Sequence, residues 1–200
     1  LETMTLIQNI GSTTWAHGVA LNKTNDTLYI TSQFGNFIYK TDTDFTFIDQ
    51  VMLDMSTVPN YASNILDPHE IIFSDDGLKY FVTCQRSNEI KVVNRLTGQV
   101  ITSIPVGDTP QEMAISNSKN YLFVSCMEDL TTFGSSKRGS VYVININTHS
   151  VVGTIYTGHQ PHGLMVDEQN GRVYVTNRNV ASGGPAPHHA SLCDGHNGYV

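Results

Sequence analysis

Helical patterning is missing from this 200-residue chain. No segment keeps apolar residues at i, i+3, i+4 and i+7 long enough to suggest an amphipathic helix. Charge is sparse: Asp, Glu, Lys and Arg make up 14% of the residues, which is low for a helical protein. Basic residues are the scarcer sign, eleven against eighteen acidic, for a net charge of -7. No basic face is therefore available to neutralise phosphates, and no nucleic-acid partner is expected. No run approaches the ~18 apolar residues of a membrane-spanning helix, and no signal-peptide pattern is visible. Cysteine is limited to Cys84, Cys126 and Cys193, an odd set with no CxxC pair. Cys84 and Cys126 end the similar stretches "FVTC" and "FVSC" and read as small buried hydrophobes. Cys193 stands in the polar "HHASLCDGH", whose "CDGH" is not a CxxCH haem-attachment motif.

What the chain has instead is Val, Ile, Thr, Tyr and Phe, with sixteen Gly, seven Pro and much Asn and Asp. That is the mixture of an all-β chain with many turns. It is also repetitive. An apolar run opens each unit, as "HGVAL" at His17, "HEIIF" at His69, "QEMAI" at Gln111 and "HGLMV" at His162. A turn follows ("NKTND", "SDDG", "SNSKN", "DEQNG"), then a second strand ("TLYITS", "KYFVTC", "YLFVSC", "RVYVTN"). Third strands read "NFIYKTD", "EIKVVNRLTG", "SVYVININTH" and, cut short, "GYV". Fourth strands read "FIDQVML", "VITSIPVG" and "VVGTIYTG".

Four antiparallel strands recurring every ~40–50 residues predict propeller blades. A sandwich does not repeat its own sequence. The expectation is one β-propeller domain over 1–200, with blades starting near 17, 69, 111 and 162. Residues 1–16 read as the closing strand of an earlier blade. A propeller takes about four to eight blades, so these roughly four are expected to belong to a larger ring.

On "RVYVTNRN", "KYFVTCQRSNEIKVVNRLTG" and "YLFVSC…GSVYVININTH", the chain resembles the YVTN-repeat family of seven-bladed propellers. The resemblance runs from about Thr5 to Val200. It implies a periplasmic, cell-surface or secreted location, and an architecture similar to the propeller domain of nitrous oxide reductase. It is specific for fold and unspecific for function.

In a propeller the first strand of each blade lines the central channel. His17, His69, Gln111 and His162 would then stand near one mouth of it. The long last loop, "RNVASGGPAPHHASLCDGHNG", would bring His188, His189 and His196 to the same face. One expectation is a binding or scaffold module that uses this face for a small ligand or protein partner. In it, Pro-His-Gly is repeat grammar that satisfies the backbone at the blade entrances. The alternative is a metal-binding redox enzyme, with His17, His69, His162, His188 and His189 holding copper, zinc or iron. Histidine-rich motifs of nitrous oxide reductase are not matched residue by residue, so its chemistry is not carried over. Glu128 and Asp129 are candidate acceptors behind the histidines. "SDDG" (Ser74 to Gly77) is explained by a turn. "FGSSKRG" does not match a phosphate loop. No nucleophile–base–orienter set can be assembled from spacing.

Overall fold

Alternating apolar residues between short turn-forming clusters form fourteen strands among the residues the computed structural model describes: 13, 15–54, 66–129 and 138–179. No helix occurs among them. The first sheet holds β1 (Ala16–Leu21), β2 (Thr27–Ser32), β3 (Phe37–Asp42) and β4 (Phe47–Met52). The second holds β5 (Pro68–Phe73), β6 (Lys79–Cys84), β7 (Glu89–Asn94) and β8 (Val100–Pro105). The third holds β9 (Asp108–Ser116), β10 (Tyr121–Asp129), β11 (Arg138–Asn145) and β12 (Ser150–Tyr156). A fourth pairs β13 (His159–Asp167) with β14 (Arg172–Asn179). Each sheet is antiparallel with strands in sequence order. The architecture is all-β, of propeller type. The strand expected over residues 1–16 lies almost wholly outside the described residues, as does the one at Gly198–Val200.

Turn chemistry repeats with the sheets. The first hairpin of each unit carries one residue of positive φ: Asn25 (58°), Gly77 (65°), Asn120 (57°) and Gly171 (63°). Asn and Gly are the residues that tolerate this region. Ser74 Oγ donates to Asp76 Oδ1 at 2.6 Å, and the Leu78 amide donates to the same oxygen at 2.9 Å. The Asp-rich "SDDG" is therefore an intramolecular turn.

The core lies between successive sheets, not within one. Strand β6 shows why, because neighbouring side chains point to opposite faces. Tyr80, Val82 and Cys84 pack with Tyr29 and Ile38 of the first sheet. Phe81 packs with Ile90, Val92, Leu122 and Val124, joining the third sheet. Both faces of β6 are thus buried, which is why its sequence is almost continuously apolar. Each such large side chain contributes roughly 1.5–3 kcal/mol on leaving water. Cys84 and Cys126 are buried thiols, neither in a disulfide, within these two layers, as their strand positions suggest.

Candidate functional site

The site begins with a backbone irregularity. In each sheet the pairing of first and second strands slips at one place: Ala16/Val19, Pro68/Ile71, Pro110/Met113 on the β9 side, and Pro161/Leu164. Two residues there face one, which is a β-bulge. The bulged pairs are His17–Gly18, His69–Glu70, Gln111–Glu112 and His162–Gly163. Opposite each stands the Ser or Thr of the second-strand motif: Thr31, Thr83, Ser125 and Thr176.

Those hydroxyls repair the bulge. Gly18 N–H donates to Thr31 Oγ1 at 2.7 Å, Glu70 N–H to Thr83 at 2.8 Å, Glu112 N–H to Ser125 at 3.1 Å and Gly163 N–H to Thr176 at 2.9 Å. Two of them also reach the next sheet: Thr31 donates to the His69 carbonyl at 2.7 Å, and Ser125 to that of His162 at 2.8 Å. Each bond contributes about 1 kcal/mol net, and more would be lost by leaving the amide unsatisfied in the interior. This bond network explains the repeated Thr or Ser. At Gly18 the sheets approach so closely that a Cβ would lie 2.4 Å from the His69 carbonyl oxygen.

The approach to each bulge is also shared. Trp15, Asp67, Thr109 and Gln160 all hold φ between 53° and 58°, a left-handed conformation costing of order 1–3 kcal/mol for a non-glycine residue. Carbonyls of Trp15 and Asp67 accept the amides of Gln33 and Gln85 at 2.9 and 3.0 Å. Because the four sheets share this geometry, it belongs to the architecture.

The bulge side chains, in contrast, differ from one joint to the next. Strand β5 lies beside β1 and β9, and β13 beside β9, so first strands form an inner row. Between the first two sheets the His17 and His69 rings stack with centroids 3.6 Å apart and planes tilted by 35°. Between the second and third, the Glu70 and Glu112 side chains hydrogen-bond each other. The Met113 amide also donates to Glu70 Oε2. Between the third and fourth, His162 Nδ1 lies 3.8 Å from Glu112 Oε1, with both side chains about a quarter exposed.

Two carboxyls that bond each other share a proton. Burial is the main reason Glu70 holds its proton far above the usual glutamate range, and the Glu112 charge and hydrogen bond add to it. The Met113 amide opposes the shift. Asp67, at the entrance to β5, is raised by burial to about 6, and Arg86 opposes that rise. The row therefore offers a proton-holding acid, a carboxylate and two imidazole pairings along one inner surface.

His17, His69, Gln111 and His162 thus stand at the same bulge in four sheets. His17 and His69 meet, and His162 meets Glu112. His69 and Gln111 are fully buried, and Gln111 Nε2 donates to the Thr109 carbonyl at 3.3 Å. His188, His189 and His196 lie outside the described residues, as does Cys193. Among the described residues no three His, Cys, Asp or Glu side chains are grouped to hold a metal ion. Of the five proposed metal ligands, His188 and His189 are the two this leaves out. Glu70, Glu112 and Asp67 were not singled out by sequence, although the first two directly follow the repeat's opening residue. Glu128 and Asp129, the acceptors expected from sequence, are the last two residues of β10.

No family model matches the chain. Over 105 residues, 50% of its length, it is 34% identical to the antigen Lp49 of Leptospira interrogans, and the match covers 23% of that protein. The chain thus spans less than two thirds of the relatives it matches. Among solved structures it superimposes on a 6-phosphogluconolactonase-like protein of Bacteroides fragilis with a TM-score of 0.60 and 16% identity, covering 82% of this chain and 48% of that one. A counterpart from Bacteroides uniformis gives 0.56 and 14%, over 82% and 50%. The dihydro-heme d1 dehydrogenase NirN in complex with DHE gives 0.62 and 11%, over 83% and 34%. At these identities the likeness concerns the fold alone. This chain has a β-propeller-type fold.

Proposed function

We propose that this chain is a YVTN-type propeller array that works outside the cytoplasm as a binding module, with its inner row facing a small ligand or protein partner. The supporting observation is the contrast between backbone and side chains at the bulges. The same Ser/Thr-to-amide bond closes all four, so the fold does not require the side chains that differ there. Yet these include a proton-sharing carboxyl pair and two imidazole pairings, groups suited to recognising polar atoms. His17, Glu112 and His162 retain exposure and are the contacts open to a ligand. That the Leptospira relative is named an antigen supports an exposed location.

A thermal-shift screen of small polar ligands on the native chain, repeated on a Glu112→Gln, His162→Gln double variant, tests this function. Compounds that raise the melting temperature of the native chain are expected to lose most of that effect in the variant. Ligands that stabilise both proteins equally would place binding elsewhere.

A further inference from the structure

The joint between the first and second sheets carries a second contrast, on the end of the strands where the first strand enters. Trp15 and Asp67 are equivalent: each precedes the bulge by two residues, has positive φ, and accepts a main-chain bond from a glutamine, Gln33 or Gln85. The residues after those glutamines, Phe34 and Arg86, are therefore equivalent too. In the first sheet these two positions hold an aromatic pair, with Trp15 and Phe34 ring centroids 4.5 Å apart and planes at 65°. In the next they hold opposite charges, Asp67 and Arg86, and the guanidinium opposes the rise that burial imposes on the Asp67 carboxyl. The stacked His17 and His69 rings follow Trp15 and Asp67 by two residues on the two first strands.

Exposure separates this pair from the core aromatics. Trp15 is 56% exposed and Phe34 41%, whereas Tyr80, Phe37 and Phe81 are at most 1% exposed. The main chain does not call for an aromatic at either position, because the same bond is made with Asp67 in the second sheet. An edge-to-face pair fixes the indole while leaving ring face open to solvent. One sheet away, Asp67 accepts and Arg86 donates, both through planar groups with paired polar atoms.

From this juxtaposition we infer that the Trp15–Phe34 and Asp67–Arg86 pairs form a saccharide-binding patch at the mouth of the inner row. A pyranose ring has an apolar face of C–H groups and a rim of hydroxyls. The C–H face, weakly positive, matches the negative face of an indole ring. Adjacent hydroxyls match a carboxylate and a guanidinium held at the edge. A protein partner fits less well, because a stable interface buries roughly 800 Å² on each side around an apolar centre. Here Trp15 and Phe34 offer two exposed rings, with charged Asp67 and Arg86 at the equivalent positions of the next sheet, the scale of one or two sugar residues. This inference rests on the inner-row face being a binding face.

The chain contains a single tryptophan, so its emission reports Trp15 directly. Tetrasaccharides of gluco, galacto, manno and N-acetylglucosamine type should be titrated, with saturation-transfer NMR as a readout that does not need the indole. At least one series is expected to change the emission saturably. Trp15→Ala should weaken that binding at least tenfold by NMR, Trp15→Phe should retain most of it, and neither should alter the melting temperature appreciably. No saturable response to any of the four, or binding that survives Trp15→Ala intact, overturns the inference. In that event, ligands that still depend on Glu112 and His162 leave the broader binding role standing. Loss of both sets of responses sinks the two together.

Discussion

Glu70 is the residue whose chemistry departs furthest from what its neighbours in sequence would suggest. The folded chain retains its proton where a free glutamate has lost it, chiefly through burial and the adjoining Glu112. Below the ordinary glutamate value of 4.5, folded and unfolded forms both hold the proton and stability does not depend on this group. As pH rises past that value the unfolded chain ionises first, so the folded state binds more protons and its stability falls. The loss continues until Glu70 ionises in the folded chain. Asp67, raised to about 6, adds a smaller loss of the same sign. Glutamine has the shape of a protonated glutamate, can donate to Glu112 and can accept from the Met113 amide. Glu70→Gln should therefore match the native chain near pH 4 and exceed it in stability above about pH 6. The gap should widen by up to about 1.4 kcal/mol per pH unit while the unfolded glutamate alone is ionised. Chemical unfolding of both proteins from about pH 4 to 8 measures this; parallel profiles would show that Glu70 is ionised normally.

At the scale of strands, sequence carried most of the information. Repetition of the apolar runs "KYFVTC" and "YLFVSC" located β6 and β10, and Gly77 and Asn120 marked the hairpins before them, because turn geometry is local. The histidine positions were equally legible as repeat positions. What alternation could not show was the bulge, since a slip of one residue leaves the apolar pattern on either side intact. Nor could it show that Glu70 and Glu112 meet, because strands of different sheets come together only through sheet packing. The Thr of "YVTN" gave a usable hint: a polar residue recurring inside a buried strand needs a partner. Strand β10 supplies the corresponding test of the packing. Val124 is fully buried and faces Phe81, Ile90 and Val92 of the second sheet. Val124→Asp should cost at least about 3 kcal/mol by burying a charge without a partner, lowering the melting temperature by on the order of 10 °C. An unchanged melt of soluble variant would remove β10 from the core.

Across the whole molecule, stability should be unequal, because the sheets are covered unequally. The second sheet is sandwiched: Tyr80 and Val82 pack toward the first sheet, and Phe81, Ile90 and Val92 toward the third, all fully buried. By contrast, β12 exposes Val152, Ile155 and Tyr156, and β13 and β14 expose Met165 and Tyr174. Repeat arrays gain stability from each unit and from each interface with a neighbour, so a unit with two buried interfaces should open last. Bonds such as Thr31 to His69 and Ser125 to His162 couple adjacent sheets without joining distant ones. Opening should then spread from sheet to sheet and not occur everywhere at once. Native-state amide exchange on the 200-residue chain reads this order directly. Amides of β6 and β7 should exchange slowest, near the rate set by global unfolding, and those of β12 and β14 fastest. Uniform protection across all the sheets would mean that the chain opens as one unit, in which case the interlocking of neighbours through Thr31 and Ser125 does not limit how opening spreads.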